Sequence, residues 1–254
     1  MIRTPVSHIP ELPDVLMPFV QSASLFDSSC SPDARVWFAE RDGGIYIKTA
    51  PKETLKAEME MDSYFHSRGF GPEVLAYVQE AADWLVTRAI PGEDCTHMQY
   101  FQDPQRLAQT LGRLLRMLHD TDTEGCPGPD LNKAYLAKTK LCRSEGTINS
   151  IFTDVSTAEE ALALVQRFRP ESRVLLHGDY CLPNILLDNW RFTGFIDVGG
   201  GGIGDRHIDL YWGCWSLQFN LKDTRWCSVF LDAYGRDAVN IEQIRILGAM
   251  EAFG

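Results

Sequence analysis

Apolar and polar residues alternate over Arg35–Ala39 and again over Ile45–Lys48, and Asp42-Gly43-Gly44 lies between them, which predicts a β-hairpin. Period two puts Ile45 and Ile47 on one face and Tyr46 and Lys48 on the other. Two more strands are predicted over Val74–Val78 and Asp83–Ala89. Between the pairs, Glu53 to Phe65 reads as a helix with Leu55, Met59 and Phe65 on a common side. Further on, Asp103-Pro104 supplies a capping acid and a first-turn proline, and Leu107, Leu111, Leu114 and Leu118 follow at helical spacing as core positions. His119 closes that helix and reads as a hydrogen-bonded structural histidine. Ser156-Thr157-Ala158-Glu159 has the form of a capping box before the stripe Ala161, Leu164, Val165 and Phe168, with Glu159 as the cap partner. Val174-Leu175-Leu176 and Ile185-Leu186-Leu187 are short buried strands. Turn chemistry at Asp188–Arg191 then leads into a last strand over Phe192–Ile196.

Composition narrows the class. A chain of 254 residues with 44% hydrophobic content can bury one sizeable core or two small ones. No apolar run reaches the length of a membrane span, and Met1-Ile2-Arg3-Thr4-Pro5 lacks a signal-peptide pattern. The seven cysteines are scattered with no Cys-x-x-Cys pair, so they are expected to be reduced thiols of a cytoplasmic protein, without a disulfide frame or zinc site. A formal net charge of −11 disfavours nucleic acid and anionic membranes as partners and favours small cations. Oligomeric state is not readable at this level.

The chemistry concentrates in His177-Gly178-Asp179-Tyr180-Cys181-Leu182-Pro183-Asn184, followed by Phe195-Ile196-Asp197. In kinases one Asp meets the acceptor hydroxyl, an Asn five residues later reaches Mg²⁺, and a second Asp holds the metals against the nucleotide phosphates. Asp179, Asn184 and Asp197 repeat that order and spacing, and the strand pattern predicts Asn184 and Asp197 at adjacent ends of a tight hairpin. Cys181 is read as loop packing. Lys48, on the face opposite the isoleucines, suits the lysine that clamps α- and β-phosphates; its glutamate partner is Glu58 or Glu60, which spacing does not separate.

These residues resemble the aminoglycoside phosphotransferase family, and most closely its 3′-hydroxyl-modifying kanamycin kinases. The likeness runs from about Ser31 to the C-terminus and includes Gly204-Asp205-Arg206, Asp209 and the ending Glu251-Ala252-Phe253. It implies an α+β, bilobal protein-kinase-like fold, with a β-rich N-lobe over residues 1–90 and a helical C-lobe over 91–254. It also implies ATP and Mg²⁺ as cofactors and an aminoglycoside as the cationic substrate, with antibiotic resistance as the outcome. Within that resemblance Asp179 is catalytic, Asn184 and Asp197 hold metal, and Lys48 pairs with Glu58. Ser31 would meet phosphate in place of a glycine-rich loop, and Arg88 and Ile90 would offer hinge backbone to adenine. Asp154, Glu160, Glu251 and Phe253, with the terminal carboxylate, would meet the acceptor. Kinases of choline, sugars or macrolides, and a catalytically silent binding protein, are the alternatives. The chain departs from the family at Val198-Gly199-Gly200-Gly201-Gly202-Ile203-Gly204, which lacks the usual Gly-Arg pair, and at Trp212 and Trp215, where relatives often carry arginine.

Overall fold

In the computed structural model, which describes residues 3–30, 32–145 and 147–253, the alternating segments form one antiparallel sheet. Its strands are β1 (Thr4–Val6), β2 (Ser24–Asp27), β3 (Arg35–Glu40), β4 (Ile45–Pro51), β5 (Val74–Gln79) and β6 (Ala82–Arg88), in the order β1-β2-β3-β4-β6-β5. Asp42, Gly43 and Gly44 turn β3 into β4 with φ of 51°, 88° and 105°, a run that suits glycine and tolerates aspartate. Ile45 and Ile47 pack with Trp37, Ala39, Trp84 and Val86, and Ile9, Leu16 and Val20 join that core; the short helix α1 (Met17–Val20) carries the last of these. Lys48 pairs with Val36 across the hairpin and is only part-buried.

Helix α2 (Lys56–Ser67) starts three residues later than the periodicity predicts. Glu53 adopts a left-handed φ of 70°, which interrupts a right-handed helix there. The Leu55 N–H then donates to the Asp83 carboxylate at 3.0 Å, so a strand residue supplies the cap that α2 lacks in its own sequence.

The chain divides into two compact units, Met1–Asp94 with Leu186–Gly200, and Cys95–Ile185 with Gly201–Gly254. The first holds the six-stranded sheet, α2 and a second sheet made of β7 (Glu93–Asp94), β9 (Ile185–Asp188) and β10 (Arg191–Phe195), in the order β10-β9-β7. Asn189 and Trp190, at φ of 47° and 71°, make the turn between β9 and β10, the paired positive values of a tight hairpin.

The second unit is mainly helical: α3 (Met98–Phe101), α4 (Pro104–His119), α5 (Leu131–Lys138), α6 (Ala158–Val165), α7 (His207–Leu221), α8 (Arg225–Tyr234) and α9 (Ile241–Glu251). Strands β8 (Val174–Leu176) and β11 (Gly202–Gly204) pair antiparallel beside them. Asp103 caps α4 by accepting from the Arg106 N–H at 3.0 Å, as its sequence predicts. The buried stripe of α4 runs Leu107, Ala108, Leu111, Leu115 and Leu118, with Leu114 half-exposed, because a 3.6-residue turn carries position 114 toward the rim. The cap of α6 lies one residue further on than the sequence pattern suggests: Thr157 accepts from the Glu160 N–H, and the Glu160 carboxylate accepts from the Ser156 N–H at 3.1 Å. Glu160, and not Glu159, is the reciprocal partner.

One cysteine expectation is corrected. Cys214 in α7 and Cys227 in α8 form a disulfide, because the two helices bring their Cα atoms to 4.8 Å, a separation local sequence does not report. Among the described residues no helix is long and apolar enough to cross a membrane.

Candidate active site

In the first unit, β4 and α2 bring Lys48 to Glu58. The Lys48 ammonium donates to both Glu58 oxygens at 2.8 Å and to Asp197 Oδ1 at 3.2 Å. Burial disfavours the ammonium, but the Asp197 and Glu58 carboxylates together outweigh it and hold the Lys48 pKa above its ordinary value. Glu60 turns instead toward Lys56, 3.9 Å away along the same helix, so geometry separates the two glutamates that spacing left open. Asp197 is 57% exposed and stands in the left-handed region at φ 56°, a conformation that costs an aspartate about 1–2 kcal/mol and holds its carboxylate just past the end of β10. A cavity of about 240 Å³ opens on Lys48, Thr54, Glu58, Asp197, Gly199 and Gly200.

In the second unit, the loop from His177 to Asn184 is held by α7. Asp209, fully buried, accepts from the His177 N–H at 2.7 Å and the Gly178 N–H at 2.9 Å, while His119 lies 3.3 Å from the same carboxylate and 2.8 Å from the Tyr234 hydroxyl. Ser216 accepts from the Leu182 N–H at 2.9 Å, about two turns further along α7. The loop backbone is thus pinned at both ends. Within it the Asn184 amide donates to Asp179 Oδ2 at 2.8 Å and to the Asp179 carbonyl at 3.0 Å. That bond fixes the Asp179 carboxylate and leaves the Asn184 Oδ1, a hard oxygen donor, turned from it. Burial pushes the Cys181 thiol up, which disarms it as a nucleophile. Asp209, Ser216 and His119 are positioning residues; the Gly204-Asp205-Arg206…Asp209 pattern hints at the first, and nothing local hints at Ser216.

Several expected contacts land differently. The Arg88 N–H donates to the Glu73 carbonyl at 2.9 Å, and its side chain to Glu73 at 2.7 Å, because β6 pairs through to Arg88; its N–H is not available to adenine. Ile90 lies beyond that last strand pair, against Gly194. Asp154 is bound to Arg245 at 3.1 Å and Glu160 is engaged in the α6 cap, so neither presents an unpaired carboxylate to an amine. Glu251, the last residue of α9, takes the Lys138 ammonium at 2.7 Å on Oε2. Phe253 packs on the helical core and the Ala252 carbonyl accepts from the Asn149 N–H at 2.8 Å, so removing the tail would lower stability. Ser31 and Gly254, with its carboxylate, lie outside the described residues.

A sheet lysine paired with a helix glutamate, together with a loop Asp-Asn pair and an Asp after the following hairpin, defines the kinase-like class of phosphoryl-transfer folds. The model of the phosphotransferase enzyme family matches residues 27–247. A probable aminoglycoside 3′-phosphotransferase of Lactococcus lactis is similar to this chain at 40% identity over 97% of each. An aminoglycoside 3′-phosphotransferase of Niallia circulans matches at 27% identity over 82% of this chain and 83% of its own. A crystal structure of an aminoglycoside-3′-phosphotransferase of type VIII superposes with a TM-score of 0.76 at 27% identity, covering 94% of this chain and 97% of that one. The chain belongs to the aminoglycoside phosphotransferase family.

Proposed function

We propose that this protein transfers the γ-phosphoryl group of ATP to an aminoglycoside hydroxyl, the 3′-hydroxyl, and acts in the cytoplasm as a resistance enzyme. The observation that carries the reading is the Asp179 carboxylate, fixed by Asn184 on a loop whose backbone is locked to Asp209. The full-length relative named a probable aminoglycoside 3′-phosphotransferase supports the acceptor class.

Asp179 orients the acceptor hydroxyl and receives its proton. Lys48 meets the α- and β-phosphates, and Glu58 keeps Lys48 aligned for them. Ile90 offers hinge backbone to adenine. Asn184 Oδ1 and the Asp197 carboxylate are the oxygens that would hold Mg²⁺; two hard donors suit an ion that fills its shell with phosphate and water. Bound there, Mg²⁺ neutralises charge on the phosphates. Little covalent help is needed from the protein beyond this positioning, because the transition state is loose. Glu251 and Phe253 would face the acceptor amines, with Lys138 already neutralising part of the Glu251 charge.

A coupled ADP-release assay tests the reading. Kanamycin should be turned over, an aminoglycoside lacking the 3′-hydroxyl should inhibit competitively without turnover, and choline should be inert. Asp179→Ala should lower kcat by at least about 10²-fold with nucleotide affinity nearly unchanged. Near-normal turnover by that variant would remove Asp179 from its role, and phosphorylation of the 3′-deoxy compound would move the reaction to another hydroxyl.

A further inference from the structure

The residues after Asp197 form a short 3₁₀ turn, Val198–Gly200, which packs on α2. Its two glycines meet different surroundings. A Cβ on Gly199 would stand 3.0 Å from the Glu58 Cβ and 3.4 Å from both its Cα and Cγ, whereas a Cβ on Gly200 would meet nothing within 4 Å. Neither glycine is in the left-handed region, so the backbone of each accepts an L side chain, and the difference lies in space alone. The close neighbour of Gly199 is the stem of the glutamate that holds Lys48, and Lys48 in turn bonds Asp197, two residues before Gly199. The turn, the helix and the strand therefore close a ring through Gly199, Glu58, Lys48 and Asp197.

We propose that Gly199 is a positioning residue for phosphoryl transfer: its lack of a side chain lets the turn seat against the Glu58 stem and so sets Glu58, Lys48 and Asp197 at the spacing that nucleotide phosphates require. The proposal rests on the reading of Lys48 as the phosphate clamp. An added methyl must either lift the turn, carrying Asp197 with it, or push Glu58 along α2, away from Lys48. Either shift stretches the ring on the nucleotide side, whereas the loop of Asp179 is pinned separately by Asp209 and Ser216 of α7.

The test compares Gly199→Ala, Gly200→Ala and Lys48→Met in the full chain. Readouts are MgATP affinity by calorimetry, steady-state constants and Tm. Gly199→Ala should weaken MgATP binding about tenfold, the ~1.4 kcal/mol scale of a modest overpacking. Its acceptor KM should stay within about twofold, a change worth under ~0.5 kcal/mol. Gly200→Ala, whose methyl meets no atom within 4 Å, should match the parent in Tm and leave the Lys48–Glu58 pair in place. Unchanged MgATP affinity in Gly199→Ala beside a damaged Lys48→Met would overturn the proposal alone, whereas normal affinity in Lys48→Met would overturn the clamp reading beneath it. A Gly199→Ala protein that only loses Tm, or fails to fold, would show a glycine required for packing and would equally overturn the positioning role.

Discussion

Asp62 lies one helical turn past Glu58, 3% exposed, with its Oδ1 lacking a hydrogen-bond partner among the described residues. Burial, reinforced by the nearby Glu58 and Asp197 carboxylates and only partly opposed by Lys48, holds its pKa well above the ordinary aspartate value. A raised folded-state pKa means the native state keeps a proton that the unfolded state gives up. Stability is therefore intact below the unfolded pKa of about 3.9 and declines as pH climbs toward the folded value, at ~1.4 kcal/mol per pKa unit. Asp62→Asn should accordingly match the parent in Tm near pH 4 and exceed it increasingly toward pH 8; a constant difference across that range would exclude titration of Asp62 as its cause. Sequence alone gave no sign of this residue, because a lone Asp in an amphipathic helix reads as its solvent face. Asp179, Asn184 and Asp197 were legible for the opposite reason: the chemistry ties three residue types to fixed spacings. Glu58 needed the structure to separate it from Glu60.

At the scale of elements, strands and helices were readable where periodicity was long, and misread where a partner from elsewhere fixed the end. Asp83 caps α2 from β6, and the α6 cap depends on which hydroxyl faces the first turn. Packing between helices was less visible still. Gly112 of α4 lies against the backbone of α8, where an added Cβ would strike the Phe230 carbonyl, and Gly213 of α7 faces the Phe230 ring at 2.6 Å from such a Cβ. In open helix an exchange of glycine for alanine stabilises by about 0.5–1 kcal/mol. Here the obstruction is main chain, so Gly112→Ala should destabilise by about 1–3 kcal/mol. The sign of the Tm shift decides between the two, and a rise would mean that α8 is not seated on α4 as described.

For the molecule as a whole, the net charge of −11 sets opposite salt dependences for the two substrates of the proposed reaction. Raising KCl from ~0.05 to ~0.5 M shortens the screening length well below ~10 Å. The kcat/KM for the polycationic acceptor should fall several-fold, while that for anionic MgATP should hold or rise; parallel declines would argue that surface charge does not guide the acceptor. The bilobal class was legible from the motifs, but the membership of the first unit was not, since residues 186–200 return to it from far along the chain. That return has a consequence for synthesis on the ribosome. The unit that begins first cannot close as its first 94 residues emerge: β7 has to await β9 and β10, about 100 residues downstream, or roughly 5–20 s at ordinary elongation rates. During that interval the strand that will receive β9 presents an unpaired edge, so nascent chains stalled before residue 186 should be the species that chaperones hold and proteases cut.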